Sequence, residues 1–170
     1  ENADLFANYG NSGTRPFFSR RIGVARDENT GQNIQNPIPV GMRLSGKINN
    51  NLRLGLLSMQ AGSDGEVGLP SYNFSVLSLQ QKLFTRSNLS FLFVNKETFE
   101  KESDYNSALY SPWNRTVGMD YNHASADNRW NGKVFYHQSI EEQANDDAYA
   151  AGFEVSYNVP KWSWQMASQR

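Results

Sequence analysis

Tyr149-Ala150-Ala151-Gly152-Phe153-Glu154-Val155-Ser156-Tyr157-Asn158-Val159 decides the fold class of this chain. Tyr149, Ala151, Phe153, Val155, Tyr157 and Val159 share one side of a two-residue period, and Ala150, Gly152, Glu154, Ser156 and Asn158 share the other. A helix would mix these two sets on every face; a strand separates them. After Pro160 the pattern resumes with Trp162, Trp164 and Met166. Large apolar residues on one face and small or polar ones on the other suit a strand between lipid and an aqueous lumen. A soluble antiparallel sheet with one face on a core has the same alternation, so the strand alone does not choose.

Outward from this hairpin the turns alternate short and long. Tight ones fall at Asn49-Asn50-Asn51, Thr85-Arg86-Ser87-Asn88, Ala126-Asp127-Asn128 and Asn158-Val159-Pro160-Lys161. Longer polar stretches run from Gly62 to Pro70, Lys96 to Pro112 and Glu141 to Asp147. Sorting of turn lengths onto opposite ends is the habit of outer-membrane barrels, and the intervening segments have the roughly ten residues that such a strand needs. Val40, Met42, Leu44 and Ile48 alternate with Gly41, Arg43, Ser45 and Lys47; Leu52, Leu54 and Leu56 follow, with blurring at Leu57 and Met59. Tyr72 to Phe84 pairs with Leu89 to Asn95, although Val76-Leu77 and Phe91 to Val94 are apolar on both faces. Val117, Met119 and Tyr121 alternate with Gly118, Asp120 and Asn122, and Trp130 to Ser139 returns.

The fold class expected is therefore all-β: an antiparallel meander of about eight strands, forming part of a transmembrane outer-membrane β-barrel. Residues 1–37 are expected to be an irregular lead-in that contacts the lumen, with one short strand near Ile22 to Ala25; residues 38–170 form the partial barrel of four hairpins. Ser139 to Ala151 reads as a loop, because Asn145-Asp146-Asp147 interrupts its helix-forming residues. The chain opens on Glu1-Asn2-Ala3-Asp4 without a basic segment followed by an apolar one, and it ends within an alternating segment at Arg170. A stretch of a longer protein is expected.

Composition agrees with this and excludes several alternatives. Hydrophobic residues make up 38% of the 170, and no apolar run approaches the eighteen or so that a membrane-spanning helix needs. A barrel strand needs only alternate residues to be apolar. A net charge of −1 gives no electrostatic basis for nucleic-acid binding. The absence of Cys removes disulfides, thiolate metal sites and a Cys nucleophile.

Glu1-Asn2-Ala3-Asp4-Leu5-Phe6 and Arg15-Pro16-Phe17-Phe18-Ser19-Arg20-Arg21-Ile22-Gly23 resemble an uncharacterised outer-membrane family of Bacteroidota. The similarity extends through Gly46-Lys47 and Asn73-Phe74-Ser75-Val76-Leu77-Ser78-Leu79-Gln80. The resemblance implies a large carboxy-terminal β-barrel, here incomplete, preceded in the whole protein by a module similar to family 9 carbohydrate-binding domains. It implies an outer-membrane location and no established activity.

Candidate site residues are structural. Phe17, Phe18, Ser19, Arg20 and Arg21 form an aromatic-basic cluster whose arginines are expected to pair with lumen carboxylates, Asp120 and Glu154 being the candidates. Tyr72, Trp113, Trp130 and Trp162, near strand ends, are expected at the membrane interfaces. No catalytic, cofactor-binding or metal-binding residue is assigned. His123 and His137 fall on the apolar side of the period with Tyr121 and Phe135, and Asp120 points away from His123. The acids Glu141, Glu142, Asp146 and Asp147 match no calcium-loop spacing. The partners expected are outer-membrane lipid, further strands of the same barrel and other outer-membrane proteins. The function expected is a structural or transport component handling glycans or other captured ligands. A soluble carbohydrate-binding β-sandwich using Trp113, Trp130, Trp162 and Trp164, or part of a surface hydrolase, are the alternatives.

Overall fold

The computed structural model describes residues 4–11, 13–17, 22–26, 31–65, 68–101, 110–142 and 148–170. Eight strands form one antiparallel meander in chain order, from β3 (Val40–Lys47) and β4 (Leu52–Ala61) through β5 (Tyr72–Leu83) and β6 (Ser87–Glu97). It continues through β7 (Trp113–Ala124), β8 (Trp130–Glu141) and β9 (Ala148–Val159) to β10 (Trp162–Gln169). The sheet does not close: β3 pairs only with β4 and β10 only with β9, which leaves two edges. The alternation of short and long connections is as expected, because each short turn carries its own chemistry. Asn49 Oδ1 accepts from the Asn51 and Leu52 amides at 2.8 Å each, closing the first. Asn128, at a φ of 59°, supplies the left-handed residue of the third.

The described residues of the lead-in form more regular structure than the sequence suggests. Asp4–Ala7 makes a one-turn helix, α1, and the short strand expected near Ile22 is β1 (Val24–Arg26), paired with β2 (Asn33–Gln35). Nor does the lead-in stand apart from the sheet. Leu5, Phe6 and Tyr9 are buried with Leu57, Val76 and Leu92, so the hydrophobic core lies between residues 5–9 and one face of β4–β6. We call that face covered and the opposite one bare. Gly55 makes room on the covered face, since a Cβ there would lie 2.7 Å from Phe6 Cζ.

Register assigns each residue to a face. On β7 and β8, Asp120 stands opposite Phe135 and Gly118 opposite His137, all on the covered face. This corrects the expected placement of His137 and Phe135 on the apolar side with His123. Val134 and Tyr136 take the bare face instead, beside Met119 and Tyr121. Both phases of β8 offer large side chains, so hydropathy does not fix the phase there; the pairing with β7 does.

Candidate functional site

The lead-in crosses the covered face as an arch, holding the sheet strand by strand. Phe6 lies under the Arg43 guanidinium of β3, 5.2 Å from its ring centroid. Asp4 takes two bonds from Arg53 of β4, at 2.7 and 3.1 Å. These hydrogen bonds hold the Asp4 carboxyl below the usual carboxylate range. Ser78 of β5 donates to the Leu5 carbonyl, and the Tyr9 hydroxyl donates to the Phe91 carbonyl of β6 at 2.8 Å. Lys133 of β8 donates to the Asn8 carbonyl at 3.1 Å, and Asn11 donates to Gln169 of β10.

The centre of this arrangement is Asp120, whose side chain is 0% exposed. A buried carboxylate is costly unless its oxygens are satisfied by charged or strong donors. Here His137 Nε2 donates to Oδ1 at 2.6 Å, while Lys133 Nζ at 3.0 Å and the Gly10 amide at 2.8 Å share Oδ2. Lys133 supplies the countercharge. Gly10 is required by its φ of 66° and by the Thr14 carbonyl, whose oxygen a Cβ would meet at 1.8 Å. Asn11 closes this corner, its Oδ1 accepting from the Gly13 and Thr14 amides at 3.0 Å each.

His137, 3% exposed, stacks on Phe135 with ring centroids 5.2 Å apart. Its Nδ1 is buried without a partner among the described residues. A Cβ at Gly118 would come within 2.6 Å of His137 Cδ2. Gly118→Ala is therefore expected to displace the ring from Asp120 and lower stability by about 1–3 kcal/mol in urea unfolding. In a His137→Ala background the same change should add little.

Tyr9 links the apolar and polar halves of the arch. Burial pushes its phenol up to about 12; the neighbouring Ser78 hydroxyl opposes this and the Asp120 charge adds to it. Because folding raises this acid's pKa, the folded state favours the protonated phenol. That contribution is complete below the unfolded value of about 10 and is lost as pH rises through about 12. Between those pH values the wild type should lose on the order of 2 kcal/mol more than Tyr9→Phe. Urea midpoints at stepped pH check this.

The sequence-predicted residues are distributed over the molecule rather than gathered. Phe17 packs against the core of the arch, whereas Phe18, Ser19, Arg20 and Arg21 lie outside the described residues. Asp120 is committed to His137, Lys133 and Gly10, and Glu154 accepts from Gln165 at 2.7 Å. Tyr72 departs from its interfacial expectation: it is buried on the covered face, with Lys96 Nζ 3.9 Å from its ring centroid. Trp130 and Trp162 stand on the bare face at the short-turn end, where Tyr157 lies 4.8 Å from the Trp130 ring and 5.3 Å from the Trp162 ring. Trp164 completes this group, 5.7 Å from Trp130. Trp113 begins β7 at the long-loop end, under the Arg115 guanidinium. The residues sequence reasoning missed are Tyr9, Gly10, Lys133 and the role of His137. Asp120 and His137 are diagonal neighbours across a hairpin, and counting register from the Ser125–Trp130 turn is the signal that joins them.

Fold and site together define an open eight-stranded antiparallel meander stitched by an arch through a buried carboxylate. No family model, curated protein or solved structure matches the chain.

Proposed function

We propose that this chain is a section of an outer-membrane β-barrel wall, with the covered face toward the lumen and the bare face toward lipid, in a structural or transport role. The observation that carries the reading is the separation of charge across the sheet. Within β3–β10, Arg43, Lys47, Arg53, Lys82, Lys96, Asp120, Lys133, Glu141 and Glu154 all stand on the covered face. Glu97 and Arg115 alone stand on the bare face, both toward the long loops. A sheet facing water with its bare side has no reason to confine charge there to the long-loop end while exposing Met42 at 71% and Val40 at 66%.

Strand length and aromatic placement agree. β4 to β9 have 10 to 12 residues each, the length of a tilted bilayer-spanning strand. On the bare face of β9, Tyr149 and Tyr157 bracket Ala151, Phe153 and Val155. Their separation of about 27 Å along the strand, tilted by ~40°, projects to about 21 Å, which covers most of an apolar band of roughly 25 Å. The resemblance of the Phe17 to Gly23 string to Bacteroidota outer-membrane proteins supports the same location. The two edges accept further strands of the same barrel, and lipid is the partner of the bare face; handling of glycans or other ligands captured upstream follows from the resemblance alone.

The exposed Trp130, Trp162 and Trp164, grouped with the half-buried Tyr157, favour a second reading, a soluble sugar-binding sheet in which these rings stack on a saccharide. Fractionation of the full-length protein, with migration compared before and after boiling, separates the two. A detergent-extracted species that shifts on boiling is expected; a soluble species with no shift overturns the barrel in favour of the sugar binder. A hydrolase reading gains nothing from His137, since no nucleophile meets its Nδ1 among the described residues.

A further inference from the structure

Between the arch and the short-turn half of the covered face lies a cavity of about 420 Å³, and we infer that it binds a small hydroxylated anion of about monosaccharide size. The volume falls in the range of small-molecule sites, roughly 300–1,000 Å³. Its lining is polar where such sites are usually apolar: Gln80, Asn88 and Asn122 come from the strands, Tyr9 and Arg15 from the arch, and Lys133 from β8. Among the described residues, two cations and no carboxylate line it.

The donors are available. Lys133 spends one N–H on Asp120 and one on the Asn8 carbonyl, which leaves the third of its three. Arg15 is exposed and has no ion-pair partner among the described residues, so its planar fork is open to a carboxylate or phosphate. The amides are pre-ordered. Asn122 Nδ2 donates to Asn88 Oδ1 at 3.0 Å, fixing both and leaving the Asn88 amide nitrogen as a donor and the Asn122 carbonyl oxygen as an acceptor for hydroxyl groups. Asp120 lies beneath, neutralising Lys133 and leaving Arg15 as the uncompensated charge. The combination suits an anionic head carried on a polyol better than either a bare anion or a neutral sugar. The inference does not depend on which side of the sheet faces lipid.

Titration calorimetry on the full chain, in detergent micelles or in buffer according to which keeps it folded, tests this with D-glucuronate, D-glucose and inorganic phosphate as probes. Saturable glucuronate binding is expected, tighter than that of glucose or phosphate. Arg15→Ala and Asn88→Asp should each weaken it about tenfold or more. Arg15 is exposed and an aspartate at position 88 keeps the acceptor for Asn122, so neither variant should unfold. Glucose or phosphate binding as tightly as glucuronate, glucuronate binding unchanged in both variants, or no saturable binding of glucuronate overturns the assignment.

Discussion

Asp120→Ala is expected to lower the stability of the folded chain by about 3–5 kcal/mol, the range for removing one member of a buried ionic cluster. The loss exceeds that of any single contact because three donors converge on this carboxylate: His137 Nε2, Lys133 Nζ and the Gly10 amide. Truncation removes the acceptor of all three, most severely for His137, whose side chain is buried. It also frees the arch at its midpoint, since Gly10 is the residue through which residues 4–11 meet β7. Against a total of 5–15 kcal/mol for an ordinary domain, this is enough to depopulate the native state.

The cause is separable from simple loss of volume. Lys133→Met alone should cost less, because Asp120 keeps His137 and Gly10. The double variant Asp120→Ala/Lys133→Met should be more stable than the sum of the two single losses implies, by roughly 1–3 kcal/mol, since the stranded ammonium is gone. Asp120→Asn should fall between wild type and Asp120→Ala, retaining an oxygen for Gly10 without the charge. Urea midpoints measure all four proteins. Losses within ±0.5 kcal/mol for Asp120→Ala would mean that the carboxylate does not anchor the arch.

Why this cluster is hidden in the sequence is a matter of distance and of phase. The period of two places β9 and β10 on their correct faces, because Phe153 and Val155 oppose Gly152 and Glu154 without ambiguity. On β8 the same rule fails, as Val134 and Tyr136 compete with Phe135 and His137 for the apolar face. The pairing of Asp120 with Phe135 resolves the competition, and only register carries that information. The arch is less legible still. Its contacts join residues far apart in the chain, such as Tyr9 to Ser78 and Gly10 to Asp120. Several depend on what is missing: Gly55, Gly118 and Gly152 leave the space that Phe6, His137 and Phe135 fill. A glycine on the covered face reads as a weak strand former until the ring above it is known. Turn chemistry, by contrast, is local, which is why the short connections at Asn49 and Asn128 were readable from the residues alone.

Met119→Arg discriminates between water and lipid on the bare face more sharply than any change to the site. Met119 is 50% exposed, sits at mid-strand on β7, and has Phe91 and Tyr136 as its direct neighbours across the sheet. In water an arginine there replaces an exposed apolar side chain and should leave stability within about ±0.5 kcal/mol. At a bilayer midplane the same guanidinium costs about 2–4 kcal/mol, since the strand cannot tilt one residue away from the hydrocarbon without breaking its ladder. The expected result is an unfolding free energy in urea lowered by that amount in lipid vesicles and a smaller fraction of protein reaching the heat-modifiable form. Asn158→Arg, at the exposed short-turn end, supplies the control that either solvent tolerates. Equal stability of Met119→Arg and wild type would place water against the bare face, and with it the Trp130 group would pass from interfacial anchor to sugar platform.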